Sequence, residues 1–309
     1  MRNITKTSDE RACPVCGGTF YENFAKEHID SHKVSDFTYA SRKEPEFMCL
    51  RLVRCTNCDL VFAPTPPATN ILSAAYSEAG FDSSEEAHAA AVSYAKALFP
   101  YVSQLAGRNA AVDVGAGSGP LLPWLQERGF SPVIGIEPSR SAINAAPPGV
   151  RAMLREGMFS PSLLADVVPS LICSFMTLEH LRDPGCFIDS AYQLLEPGGM
   201  LAVVVHNWRA PVNRILGLRS PIIDVEHLQL YSPKSLRTLL TRAGFVSTDL
   251  NSIANSYSLR YWLRLSPLPA SVKKRLAETF NRMDLSNKKI SLRVGNMLAI
   301  CNKPLVEKL

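Results

Sequence analysis

Three groups of residues in this chain have the types and spacing to do chemistry. The run "AVDVGAGSGP", Ala111 to Pro120, leads small and β-branched residues into Gly115, Gly117 and Gly119, with Asp113 just ahead of the first glycine. A glycine-rich turn after a buried strand lets a ligand approach the backbone, so a nucleotide-like cofactor is expected there. Glu137 ends the following apolar run "PVIGIEP", eighteen residues beyond Gly119. A carboxylate at that place can accept both hydroxyls of a ribose, which points to an adenosine-type ligand without choosing one. The second group is Cys13/Cys16 and Cys55/Cys58, each pair spaced C-x-x-C. Two such knuckles supply four thiolates, the donor set of a closed, tetrahedral, structural Zn2+ site. The third group is His180 in "LEHL", His206 ending "VVVHN" and His227 in "DVEHLQLYS". All three fall where loops leave strand C-termini, the place for a general base if the substrate must lose a proton.

The elements that position these groups are legible from apolar runs and turn residues. "EEAHAAAVSYAKALFPYVSQLA" reads as a helix leading into the strand "AAVDVG", and "GPLLPWLQERGF" as a short helix ended by Gly129. "PVIGIEP", the start of "VPSLICSFMTLEHL", "LAVVVHN" and "GNMLAICNK" read as strands. "CFIDSAYQLLEPGGM" is an amphipathic helix stopped by Pro197-Gly198-Gly199, and "SPKSLRTLLTRAGF" a helix capped by Ser232. Helix and strand alternate, the pattern of a parallel sheet with crossover helices. "APTPPATN", Ala63 to Asn70, is a proline-rich boundary. The expected organisation is a metal-binding module over 1–63 followed by a larger α/β domain over 64–309.

Composition narrows the classes. The chain has 309 residues, 20% of them charged, and no uninterrupted apolar run long enough to span a membrane. The N-terminus has no apolar core of the secretory type, so a cytoplasmic location is expected. In a reducing compartment paired C-x-x-C units are metal ligands before they are disulfides. Cys49, Cys173, Cys186 and Cys301 lie in apolar surroundings and read as small core residues. His28 and His32, in the lobe between the cysteine pairs, read as a polar helix face, because four thiolates already complete a site. From Asn207 onward there are 17 Lys/Arg against 6 Asp/Glu, which fits an anionic partner or an ordinary solvated surface.

Four motifs, "VDVGAGSG", "GIEPS", "TLEHLRDP" and "LLEPGGMLAVVV", stand in the order and spacing of the class I S-adenosylmethionine (SAM)-dependent methyltransferases, and the chain resembles them from about Tyr76 to Lys303. The resemblance implies a Rossmann-like seven-stranded sheet with a reversed last strand, beside the small N-terminal zinc-ribbon-like module. It places Asp113, Gly115, Ala116 and Gly117 along the methionine part of SAM, Glu137 on the ribose, and Glu156 and Gly157 beside the adenine. His180 and His227 match family positions near the cleft. The four-cysteine module, then "LVFAPTPP" and Tyr76, is similar to zinc-bearing bacterial methyltransferases associated with deoxysugars, surface polysaccharides and secondary metabolites. The sugar C-methyltransferases of that group carry a further C-terminal domain that this sequence does not show, so C-methylation is not expected.

Two insertions, near 207–230 and 252–290, are expected to form the acceptor pocket. They mix Trp208, Arg209 and Arg214 with Arg260, Tyr261, Trp262 and Arg264, which suits an anionic or ring-containing small molecule. "YWLRL" suits an oligomer interface or a membrane-surface face equally well. The expected function is methyl transfer to a sugar, sugar nucleotide or secondary metabolite. An RNA methyltransferase and a non-catalytic SAM- or zinc-binding interaction protein are the alternatives. Nucleic acid is the less expected partner, because the cysteine module is not net basic and no asparagine-proline motif follows the fourth strand. A dehydrogenase is the weakest rival, given the G-x-G-x-G spacing.

Overall fold

A computed structural model of the chain describes residues 3–5, 9–41 and 44–305. The N-terminal part forms β1 (Asn3–Thr5), β2 (Phe20–Ala25), β3 (Leu52–Cys55) and β4 (Val61–Phe62), all antiparallel. The two cysteine knuckles flank β2 and β3. Between those strands the backbone is mostly irregular: a 3-10 turn at Ser31–Lys33 and a single bridge in which His28 and Cys49 exchange 2.9 Å backbone hydrogen bonds. His28 and His32 therefore do not share a helix face, contrary to the sequence expectation. Helical spacing without an apolar stripe or a cap does not make a helix.

Beyond the proline-rich connector come α1 (Thr69–Glu78) and α2 (Ser84–Val102), then the alternating core. It runs β5 (Ala110–Val114), α3 (Leu122–Glu127), β6 (Val133–Glu137), α4 (Arg140–Ala145), α5 (Pro148–Arg151), β7 (Leu154–Glu156), β8 (Pro169–Phe175), α6 (Pro184–Leu194) and β9 (Met200–His206). After α7 (Pro211–Leu216), β10 (Gln229–Leu230) and α8 (Pro233–Arg242), the chain closes with β11 (Val246–Ser258), α9 (Leu259–Leu265), α10 (Ala270–Arg282) and β12 (Lys289–Asn302).

Seven strands form one sheet in the order β11-β12-β9-β8-β5-β6-β7. The five from β5 to β9 are parallel neighbours, and β12 inserts antiparallel between β9 and β11. This is the expected seven-stranded sheet with a reversed last strand. Every residue of β5, β6 and β8 is buried, which is why these strands read as continuous apolar runs rather than alternating ones. On one face of the sheet α2 and α3 pack through Ala90, Tyr94, Leu98 and Leu122. On the other, Phe187 and Ile188 of α6 and Leu236 and Leu240 of α8 do the same.

The second face continues without a break into the cysteine module: Cys13, Tyr21, Cys55 and Phe62 share one core with Val112, Leu178 and Phe187. The backbone crosses as well, since β10 pairs antiparallel with β4 and completes a five-stranded sheet, β1-β2-β3-β4-β10. The described residues of the 1–63 stretch thus share both a sheet and a core with the residues that follow His227.

Candidate active site

At the C-terminal end of the parallel strands lies a cavity of about 420 Å³. That is the crevice where open α/β sheets bind ligands. One half is built by the turn after β5. Gly115, Gly117 and Gly119 all have positive φ, 78°, 58° and 71°. At Gly115 a Cβ atom would stand 2.3 Å from Thr177 Oγ1. The small residue therefore permits both the turn and the close approach of the loop after β8. Thr177 Oγ1 lies within donating distance of Val114 O (3.1 Å) and Phe175 O (3.2 Å), which ties the two loops together.

Glu137, at the tip of β6, is buried and accepts Gly117 N–H at 2.7 Å on Oε2 and Ser139 N–H at 2.8 Å on Oε1. Each oxygen keeps a further lone pair for a ligand hydroxyl. Burial raises its pKa, against those two backbone donors. Asp113 is also buried and lines the cavity. Burial, with the neighbouring Glu137 charge, pushes its carboxyl up to about 7. Two buried carboxylates facing one cavity are unfavourable alone and favourable toward a ligand that brings hydroxyls and a cation. Gly115, Ala116, Gly117 and Gly157 also line this half.

Glu156 does not join them. It is exposed and pairs on the surface with Arg140 at 2.7 Å. β7 ends there and none of its three residues lines the cavity, so of the pair Glu156-Gly157 only the glycine reaches it.

The other half gathers the three histidines. His227 stands between the other two, its ring centroid 5.0 Å from that of His180 and 5.1 Å from that of His206. They come from the loop after β8, the end of β9 and the segment before β10, and the fold packs their rings against one another. His227 Nδ1 is 2.9 Å from Ile222 O. A carbonyl can only accept, so Nδ1 carries the proton and Nε2 is the basic nitrogen. His206 Nδ1 donates in the same sense to Asn296 Oδ1 at 3.1 Å. His180 Nδ1 lies 3.1 Å from the Tyr76 hydroxyl and 3.2 Å from Glu226 O, with Glu226 Oε2 at 3.8 Å.

Tyr76, Glu226 and Asn296 therefore belong to the site, although the histidine pattern alone did not single them out. Tyr76 is on α1, and only its place after the proline-rich connector marked it. Glu179, beside His180 in sequence, is wholly buried and does not line the cavity. Its Oε1 accepts His206 N–H at 2.6 Å and its carbonyl accepts Leu228 N–H at 2.8 Å. It braces the histidine segments, and burial lifts its carboxyl to about 8.

The insertions contribute differently from expectation. Tyr257, Tyr261 and Trp262 line the cavity, but none of the four arginines does. Arg209 turns to Asp59 of the second cysteine knuckle, with Nε at 2.9 Å and Nη2 at 2.6 Å. Trp208 Nε1 donates to Asp59 O at 3.1 Å. Arg214 is exposed, and Arg260 and Arg264 border a separate shallow cleft with Glu85. Among the described residues no arginine or lysine lines the cavity.

The four cysteines converge. Cys13, Cys16, Cys55 and Cys58 bring all their Sγ atoms within 4.8 Å of one another, with Cys13–Cys58 and Cys16–Cys55 each at 3.5 Å. A tetrahedron with Zn–S bonds near 2.3 Å has S···S edges of about 3.8 Å, so the set fits the ion with small adjustments. Hydrogen bonding among the crowded thiols holds Cys13 and Cys58 above the ordinary thiol value and Cys55 below it.

A reversed seventh strand, a positive-φ glycine turn after the first core strand and a buried acid at the tip of the second define the class: the Rossmann-like methyltransferases. A family model describing a methyltransferase domain matches residues 80–250, and the chain belongs to that family. It is a methyltransferase. Over 178 residues it is 28% identical to a ubiquinone biosynthesis O-methyltransferase of Psychrobacter arcticus, covering 52% of this chain and 67% of that protein. Among solved structures it is similar to a possible histamine N-methyltransferase of Thermotoga maritima. That likeness is 19% in sequence, covers 70% of this chain and 91% of that one, and has a TM-score of 0.46. The plantazolicin methyltransferase BpumL, solved with S-adenosylhomocysteine (SAH), is 16% identical, with 77% and 91% covered and a TM-score of 0.48.

Proposed function

We propose that the protein transfers a methyl group from SAM to a hydroxyl of a small, ring-bearing acceptor, with His227 as the general base. The observation that carries the reading is one cavity with two unlike halves. Buried carboxylates beside a glycine turn line one half, and an imidazole held through its Nδ1, set among aromatic rings, lines the other. Glu137 would hold the ribose, Asp113 and Gly115 to Gly117 the methionine portion, and Gly157 the edge of the adenine. SAM bound there supplies an activated sulfonium methyl, whose transfer needs an aligned nucleophile and excluded water. In this reading His227 Nε2 would take the hydroxyl proton, with His180 and His206 packed against its ring. Tyr257, Tyr261 and Trp262 suit an acceptor with a flat or apolar face. The O-methyl assignment agrees with the activity in the name of the Psychrobacter relative, and a sugar or an aromatic ring both meet the chemistry. The four cysteines are read as a structural zinc site and the protein as cytoplasmic, in line with C-x-x-C pairs that are free thiols rather than disulfides.

Calorimetric titration with SAH tests the cofactor half. Micromolar binding is expected for the wild type, with NADH not bound. Glu137→Ala should weaken binding about 10- to 100-fold, the worth of one or two hydrogen bonds to a charged group. NADH binding, or equal SAH affinity in the variant, would overturn the assignment.

A further inference from the structure

The lobe between the two cysteine pairs supplies part of the acceptor-side wall. Tyr39, Ser41 and Pro45 line the cavity. The Tyr39 ring stands edge-on to Tyr76 at 5.3 Å, and Tyr76 in turn meets His180. Backbone bonds fix the lobe there. Asp36 O accepts Gly80 N–H at 3.0 Å, Ser41 O accepts the Ser83 hydroxyl at 2.9 Å, and Glu46 N–H donates to Asp224 Oδ2 at 3.1 Å, three residues before His227. The bonds that shape the cofactor turn run instead among β5, β6 and the loop after β8.

Both ends of the lobe meet at the cysteine cluster, since Cys16 precedes it and Cys55 closes it. The second knuckle is held from the opposite side by Trp208 and Arg209, which follow directly on His206. The cluster therefore has two arms reaching the acceptor half: the lobe, ending at Tyr39 and Asp224, and Asp59, ending at the strand that carries His206. The lobe has little regular structure of its own. A segment with few ladder bonds opens at low cost unless its ends are tied.

We propose that the four-cysteine cluster is the clasp of the acceptor half of the active site. A divalent zinc ion held by Cys13, Cys16, Cys55 and Cys58 keeps the lobe and the 206–231 segment in register. It thereby sets the Tyr39 wall and the His227 loop and leaves the cofactor turn unaffected. The inference rests on the zinc reading given above.

Hydrogen–deuterium exchange of the full chain, with metal content and SAH affinity measured on the same samples, tests it. The expected result is a stoichiometric metal ion in the purified protein. Its removal by a strong chelator should speed exchange in 34–41, 44–48 and 222–231 by about tenfold or more, and added Zn2+ should reverse the change. The SAH dissociation constant should move by less than about threefold. Arg209→Ala should keep its metal and speed exchange in 206–231 but not in 34–41. A metal-bearing protein whose exchange is unchanged by chelation overturns the clasp and leaves the zinc reading standing. Loss of SAH binding in step with lobe opening overturns it too, because the ion would then hold the whole fold. A protein that carries and takes up no metal removes the zinc reading and the clasp with it.

Discussion

At the scale of single residues, the site depends on groups whose ordinary preferences are overridden. Glu179 is a fully buried carboxyl, and its Oε2 has no hydrogen-bond partner among the described residues. Burial raises it from 4.5 to about 8. The folded chain then holds a proton that the unfolded chain has released. Its contribution to stability is complete below the unfolded value and is lost as pH rises through about 8, by on the order of 1.4 kcal/mol per pH unit between the two. Glu179→Gln should remove that slope, so thermal melts from pH 5 to 9 should show the variant gaining on the wild type as pH rises. Parallel curves would contradict the buried neutral acid. Asp113, lifted to about 7, obeys the same sign when the protein is alone. Read as facing the cationic amino group of SAH, it gives binding that tightens with pH, by up to about tenfold per unit below 7. Calorimetry at pH 6 and 8 checks this. His227→Ala should lower kcat by about 10²- to 10⁴-fold without changing SAH affinity, once an acceptor is in hand. A drop in SAH affinity instead would make His227 a structural residue.

At the scale of elements, what could be read from the sequence divides by how local its cause is. The strands β5, β6, β8 and β9 are apolar runs bounded on at least one side by glycine or proline, and α8 announces itself by Ser232, which accepts from Ser235 N in a capping box. Such signals are carried by a few neighbouring residues. The pairing of β10 with β4 and the direction of Arg209 depend on partners more than a hundred residues away, and the irregular lobe between the cysteines on partners some forty residues on and at Asp224. Nothing near those residues encodes them. Glu156 was misplaced for a related reason: β7 is only three residues long, and a short edge strand has too little pattern to tell which of two neighbours faces the ligand. The turn after β5 is where local and distant causes agree. Gly115→Ala meets both an unfavourable φ and Thr177, and should cost about 1–3 kcal/mol. A denaturant midpoint unchanged by that substitution would mean that the Thr177 loop yields freely.

At the scale of the whole molecule, two cores on either side of one sheet do different work. The α2–α3 side is a conventional cover, while the α6–α8 side runs on into the cysteine cluster, so the methyltransferase sheet and the thiol site share a single apolar interior. Among the described residues no helix is long and apolar enough to cross a membrane. The pairing of β10 with β4 has a consequence for anyone wishing to recombine this protein. A chimera cut after residue 63 would leave β4 an open edge on one fragment and strip Gln229 and Leu230 of their partner on the other. The exchangeable piece is discontinuous: the first sixty-three residues travel with the segment from His206 to Ser232, and a donor that brings one without the other inherits an unpaired strand.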